Sequence, residues 1–149
     1  MKVTSPEFAS GTILPQKFTG DGADINPPLI FEEIPAGTKS LALILDDPDA
    51  PRRPFVHWVI YNMPIVTRLE ENSAPGTQGL NDFGRLEYGG PCPPAGPAHR
   101  YVFQLYAFDT KLTVKGRVDK ETLEKAMQGH ILARAECIGL YARGSRFRR

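Results

Sequence analysis

The side chains best suited to hold a ligand fall in two loop-rich segments of this chain. The first runs Leu45-Asp46-Asp47-Pro48-Asp49-Ala50-Pro51 and reaches His57-Trp58. The second runs Tyr88-Gly89-Gly90-Pro91-Cys92-Pro93-Pro94 and reaches His99-Arg100-Tyr101. Three carboxylates within four residues (Asp46, Asp47, Asp49) repel unless a cation, an imidazole or backbone amides meet them. As a plain Asx/Pro turn they would only close a strand. With His57 on the next strand, Asp47 can instead orient an imidazole or accept from a ligand ammonium.

In the second segment, Gly89-Gly90 permits backbone dihedrals closed to other residues, so successive amides around Gly90 and Cys92 can point into one concavity. Pro91, Pro93, Pro94 and Pro97 stiffen the loop. His99 and Tyr101 then add donors of the kind a phosphate, sulfate or carboxylate requires. Read otherwise, the segment is a rigid Ω-like loop covering the core. An acid beside two histidines favours their protonated forms, so anion binding is expected to weaken above neutral pH.

Other chemistries fit less well. Asp47, His57 and His99 match a two-His, one-carboxylate set, but no pair has helical or Cx2C-type ligand spacing, and no metal or other cofactor is expected. None of the five serines lies in a Gly-x-Ser-x-Gly elbow. Cys92 reads more simply as a buried small hydrophobe than as a nucleophile. The expectation is a protein that is not an enzyme, with a hydrolase using Cys92 or a metal-bound water as the lesser alternative.

Apolar runs position these residues. Lys39 to Leu45, Phe55 to Met63 and Arg100 to Phe108 read as strands, with Leu29 to Ile34 and residues 3–8 as weaker ones. Strict alternation places His57, Val59 and Tyr61 on one face of the second strand, opposite Trp58 and Ile60. The third is apolar on both faces and should be central. Asp119 caps a helix whose Leu123, Ala126, Met127 and His130 share one face, with Gly129 as its stop. Residues 131–142 fit either strand or helix. Trp58 is assigned to the core, Phe83 and Tyr88 to the pocket rim.

The 149 residues form one domain, 1–149, long enough to bury about two thirds of the unfolded surface. Lys and Arg number 18 against 17 Asp and Glu, a net charge of +1 that gives no general attraction to nucleic acid or membrane. An Arg-rich tail (Arg143, Arg146, Arg148, Arg149) is the one charge run and reads as a solvated terminus. No run of about 18 apolar residues exists, so no integral membrane segment is expected. The N-terminus lacks an apolar stretch after Lys2, and two cysteines, Cys92 and Cys137, make no disulfide framework. A cytoplasmic protein with free thiols is the expectation.

The sequence resembles the phosphatidylethanolamine-binding proteins, which include Raf kinase inhibitor protein, and within them the bacterial and archaeal branch. The resemblance rests on Asn26-Pro27-Pro28-Leu29, Asp47-Pro48-Asp49-Ala50-Pro51, His57-Trp58 and Asn81-Asp82-Phe83-Gly84-Arg85. It continues through Tyr88-Gly89-Gly90-Pro91-Cys92-Pro93-Pro94, His99-Arg100-Tyr101 and Met127-Gln128-Gly129-His130-Ile131. It implies a mainly β fold, an antiparallel Greek-key β-sandwich with one or two short helices, with residues 131–142 a strand. It also implies an anion pocket lined by Asp47, His57, Cys92, Pro93, Pro94, His99 and Tyr101. The family's bacterial members are often dimers, so a homodimer is a candidate assembly. Val56 stands where eukaryotic members carry a further histidine, and Cys92 where they carry a pocket glycine; membrane-lipid binding and Raf-type inhibition are the properties these departures affect.

The resulting expectation is non-catalytic binding of a small phosphoryl-type anion such as a phosphoethanolamine headgroup. His57, His99, Tyr101 and amides near Gly90 and Cys92 would donate to it, Pro93 would wall it, and Asp47 would orient a ring. The alternative is a protein-interaction module that inhibits a kinase or protease.

Overall fold

The computed structural model describes residues 1–143, and all but Arg143 of the Arg-rich tail lies outside them. Nine strands, one α-helix and a 3-10 turn at Gln16–Phe18 make up the described chain. The strands are β1 Lys2–Thr4, β2 Thr12–Ile13, β3 Leu29–Glu32, β4 Ser40–Asp47, β5 Phe55–Met63, β6 Arg68–Leu69, β7 Thr77–Gln78, β8 His99–Phe108 and β9 Ile131–Tyr141. The helix, α1, is Lys120–Met127. A three-stranded sheet has the order β1-β3-β6, and a six-stranded sheet the order β2-β9-β8-β4-β5-β7. The long pairings are all antiparallel, and only the two-residue contact of β2 with β9 is parallel.

Period-two alternation in the central strands feeds two apolar layers. Leu41, Leu43 and Leu45 of β4 join Tyr101, Phe103 and Leu105 of β8 against Val3, Leu29, Phe31 and Leu69 of the smaller sheet. Ala42 and Ile44, with Tyr106 and Phe108, face Leu123 and Met127 of α1 and the connecting Leu112 and Val118. β8 is thus covered on both sides, as its doubly apolar sequence requires. The Asp119 carboxylate accepts from the Thr122 amide at 2.8 Å and caps α1.

Two expectations are corrected at the helix end and in the core. The chain leaves helical geometry at Gln128 (ψ 129°), and Gly129 turns it at φ +82°. His130 therefore does not continue the inner face; its half-exposed ring pairs with Asp109 at 2.8 Å. Tyr88 is not on the rim of the His57–His99 pocket but in the core, edge-on to Trp58, with its hydroxyl donating to the Phe18 carbonyl at 2.6 Å.

Candidate ligand-binding site

Alternation along β4 separates the crowded acids. Asp46 points to the helix side, where Lys120 Nζ lies at 2.6 Å and Gln104 Nε2 donates at 3.1 Å. Asp47 points to the opposite face and meets His99 Nδ1 at 2.6 Å. Asp49, past the strand end, takes both the side chain and the amide of Arg100, with Nη2 at 2.8 Å. The Arg100 guanidinium holds the Asp49 carboxyl down at about 2. Each acid has its own cation or imidazole, which is how three carboxylates share four positions.

His57 reaches the same face as Asp47 by a β-bulge. Leu45 pairs with Trp58 and Asp46 with Val56, so His57 is the extra residue between them. Without the bulge the ring would lie on the helix side with Val59 and Tyr61, as strict alternation predicts. The inserted residue re-aims it toward Phe55, Phe83 and Tyr101, whose ring centroids lie 4.9, 5.4 and 5.4 Å away.

The segment after β7 fastens this bulge. The Gly79, Asp82 and Gly89 amides donate to the Val59, Val56 and His57 carbonyls. In return, the Val56 amide donates to the Asp82 carboxylate at 2.8 Å. Buried Asn81 is the organiser, a role the sequence did not assign. Its carbonyl oxygen accepts from the Phe83 and Arg85 amides, while its NH2 group donates to the Glu87 and His57 carbonyls. A polar residue followed by Asp, Phe and Gly between strands was the available signal for such an Asx turn.

The glycine pair works differently from expectation. Neither Gly89 nor Gly90 adopts a positive φ. They are needed because backbone and rings come close: a Cβ on Gly89 would stand 2.5 Å from the Phe83 ring, and one on Gly90 2.6 Å from the Phe18 carbonyl oxygen. The Gly90 amide is already committed to Asp24 Oδ1 at 2.6 Å, so it is not an amide that awaits an anion. Gly90 stands behind the site and does not line it.

At this end of the large sheet lies a cavity of about 240 Å³. Asp47, His57, Cys92, Pro93, His99 and Tyr101 all line it, together with Ala50, Pro51, Phe55, Phe83 and Pro94. His57 is 4% exposed, and Tyr101 is fully buried. Burial, with Asp47 beside it, raises the Tyr101 phenol well above its usual range, so it remains a hydroxyl donor. Cys92 is exposed, not buried as expected, and the Arg143 guanidinium sits against its sulfur. Phe83 forms the rim, half in solvent.

Each imidazole is oriented through Nδ1. His57 Nδ1–H donates to the Gly89 carbonyl at 2.7 Å, and His99 Nδ1 is held by Asp47. Burial pushes the His57 pKa below its usual value of 6.5, more than the Gly89 carbonyl and Asp47 raise it. For His57 this runs against the expectation that the neighbouring acid favours the protonated form. For His57, desolvation wins.

The fold and site together define a two-sheet β-sandwich with a His–Asp pocket at one end of its larger sheet. The chain belongs to the phosphatidylethanolamine-binding protein family, whose model matches residues 4–142. It is 50% identical to a UPF0098 protein of Methanothermobacter thermautotrophicus over 97% of this chain and all of that one. A UPF0098 protein of Pyrococcus horikoshii is 44% identical over 96% of this chain and 77% of its own length. Among solved structures, a phosphatidylethanolamine-binding protein homologue of Chlamydia trachomatis superposes with a TM-score of 0.91 at 41% identity, covering 96% of this chain and 97% of that one. Escherichia coli YbcL gives 0.88 at 32% identity, covering 96% and 98%. Among the described residues no helix is long and apolar enough to cross a membrane.

Proposed function

We propose that this protein is a non-catalytic binding module for small phosphoryl-type anions, with phosphoethanolamine as the model ligand. One observation carries the reading: two imidazoles on one small cavity, each with its Nδ1 fixed by an acceptor. That arrangement leaves the Nε2 of each ring to meet a guest. A protonated ring donates there to a phosphoryl oxygen, a charge-assisted bond stronger than a neutral one. The Tyr101 hydroxyl supplies a further donor, and Asp47 holds the His99 ring while offering its carboxylate to a ligand ammonium. The Phe55 and Phe83 rings form an apolar, electron-rich wall that suits the same ammonium. Cys92 and Pro93 shape the opposite wall.

Calorimetric titration with phosphoethanolamine, and with inorganic phosphate alongside, tests this reading on the wild type, His57→Ala and His99→Ala. Saturable binding that weakens about 10- to 100-fold in each variant is expected from loss of one charge-assisted bond. Equal affinity in all three proteins would contradict it.

The exposed Phe83 at the rim favours a second reading, in which the occupant is a phosphorylated or acidic segment of a protein kinase or protease. A captured partner that His99→Ala releases would support that reading; one that survives the substitution binds elsewhere.

A further inference from the structure

Cys92 brings to the cavity wall a chemistry that anion binding does not use. It is exposed, while Pro91 and Pro93 on either side of it are buried. The two proline rings restrict the backbone around it, so the sulfur keeps its direction. The residues before Asp21 back it from behind. The Gly20 amide donates to the Pro91 carbonyl at 2.8 Å, and a Cβ on Gly20 would stand 3.3 Å from the sulfur. A braced cation stands beside this sulfur. β9 ends at Tyr141, which pairs with His99, and two residues further Arg143 lays its guanidinium against Cys92 Sγ. Asp21 holds Arg143 in place, with Oδ1 3.3 Å from Nε, and the Tyr141 hydroxyl donates to Asp21 Oδ2 at 2.7 Å.

Thiol exchange runs through the thiolate, and the guanidinium meets the charge that this attacking form carries. The chain offers no second thiol for the exchange. Both cysteines are free, and Cys137 is fully buried in the core. A disulfide partner therefore comes from outside, and the cavity selects it. His57, 4% exposed, presents Nε2 to the space that Cys92 walls, and no described side chain meets it there. His99 lines the same space with its Nδ1 taken by Asp47. One sulfur and two imidazoles thus share a cavity of about 240 Å³, with the guanidinium at its edge. A short molecule with sulfur at one end and an anion at the other touches all four groups.

We infer that Cys92 captures low-molecular-weight disulfides that carry a phosphate, sulfonate or carboxylate close to their sulfur. The Cys92 thiolate attacks one sulfur of the disulfide R–S–S–R. A Cys92–S–S–R bond forms, the original S–S bond breaks, and R–S⁻ leaves and takes up the proton that Cys92 gave up. Cys92 is oxidised and the departing half of the disulfide is reduced. The retained half lays its anionic end against the imidazoles and fills the cavity. The inference rests on the anion-binding reading of this cavity and makes that binding depend on thiol–disulfide state. A free thiol that attacks the adduct reopens the site.

Methanethiosulfonate reagents, which leave a small group on a thiol in disulfide linkage, test the inference. The sulfonatoethyl and trimethylammonioethyl reagents carry opposite charges on the same short linker. Mass spectrometry of peptides gives each labelling rate at Cys92, in folded protein and in the urea-unfolded chain that reports intrinsic reactivity. Folding should favour the anionic reagent over the cationic one by about 10-fold. Arg143→Met should remove most of that preference, with its thermal unfolding checked against the wild type. In the wild type itself, phosphoethanolamine should slow the anionic reagent. The sulfonatoethyl adduct should no longer bind phosphoethanolamine, and dithiothreitol should restore binding. A Cys92 that stays unlabelled in the folded protein, or shows no gain in anion preference on folding, overturns the inference. So does an adduct that still binds phosphoethanolamine. Calorimetry on the unmodified protein keeps the two claims apart. Binding there, with any of those failures, overturns capture and leaves the anion-binding reading standing. Anion-preferring capture by a protein that binds no phosphoethanolamine supports the inference and overturns that reading.

Discussion

His57 and Gly89 hold each other twice: the Gly89 amide donates to the His57 carbonyl at 3.0 Å, and the His57 ring donates from Nδ1 to the Gly89 carbonyl at 2.7 Å. The reciprocal bonds lock a bulged residue and fix which ring nitrogen faces the cavity. They also define the role of the glycine. Gly89→Ala would drive a methyl into the Phe83 ring, 2.5 Å away, so loop or ring must shift. A loss of about 1–3 kcal/mol in denaturant unfolding, with weaker binding of phosphoethanolamine, is expected.

On the proposed function, the buried His57 ring should make anion binding pH-dependent. Its pKa is lowered on folding, so the folded protein binds fewer protons than the unfolded chain wherever the two differ. This ring's contribution to stability is fully present above the unfolded value of 6.5. It declines as pH falls from there through the lowered folded value, then levels off. An anion that needs the protonated ring binds more tightly over the same fall. Phosphate should therefore raise the melting temperature more at about pH 5.5 than at about pH 7.5, and His57→Gln should remove most of that difference.

Asp47 is the orienting group for His99. Asp47→Ala removes the acceptor of the His99 Nδ1 bond and of the Asp49 amide bond at 2.8 Å. A stability loss of about 1–3 kcal/mol is expected, measured by urea unfolding. Binding of phosphoethanolamine should fall further than binding of inorganic phosphate, because only the former has an ammonium to lose its carboxylate.

Asp46 separates stability from binding. Its side chain is 7% exposed and Lys120 is its charged partner across the sheet's other face. Lys120→Met leaves that buried carboxylate with Gln104 alone, for a loss of roughly 2–4 kcal/mol in unfolding free energy. Calorimetry on the same variant should give an unchanged affinity for phosphoethanolamine, since neither Asp46 nor Lys120 lines the cavity.

Much of this was legible in the residues themselves. Tyr101, Phe103 and Leu105 alternating with Val102 and Tyr106 disclosed a doubly covered central strand, and Asp119 disclosed a helix start. The pocket's His57, His99, Asp47, Cys92, Pro93 and Tyr101 came together from two segments far apart in the chain. The bulge did not show, because an extra residue in one strand leaves no mark on that strand's own sequence; it depends on how β4 and β5 align. The commitment of the Gly90 amide to Asp24 was equally hidden, since residues 66 positions apart carry no local signal of contact. The fate of Cys92 turned on its neighbours in space and not on its flanking prolines.

The most direct measurement is an NMR titration of the three histidine rings with phosphoethanolamine and, separately, inorganic phosphate. His130, paired with Asp109 near the end of the helix, serves as the internal control. The His57 and His99 resonances should shift together and saturate, with the His57 titration midpoint rising on binding, while His130 stays in place. If His57 and His99 do not respond, or if His130 moves as much as they do, the pocket is not the anion site.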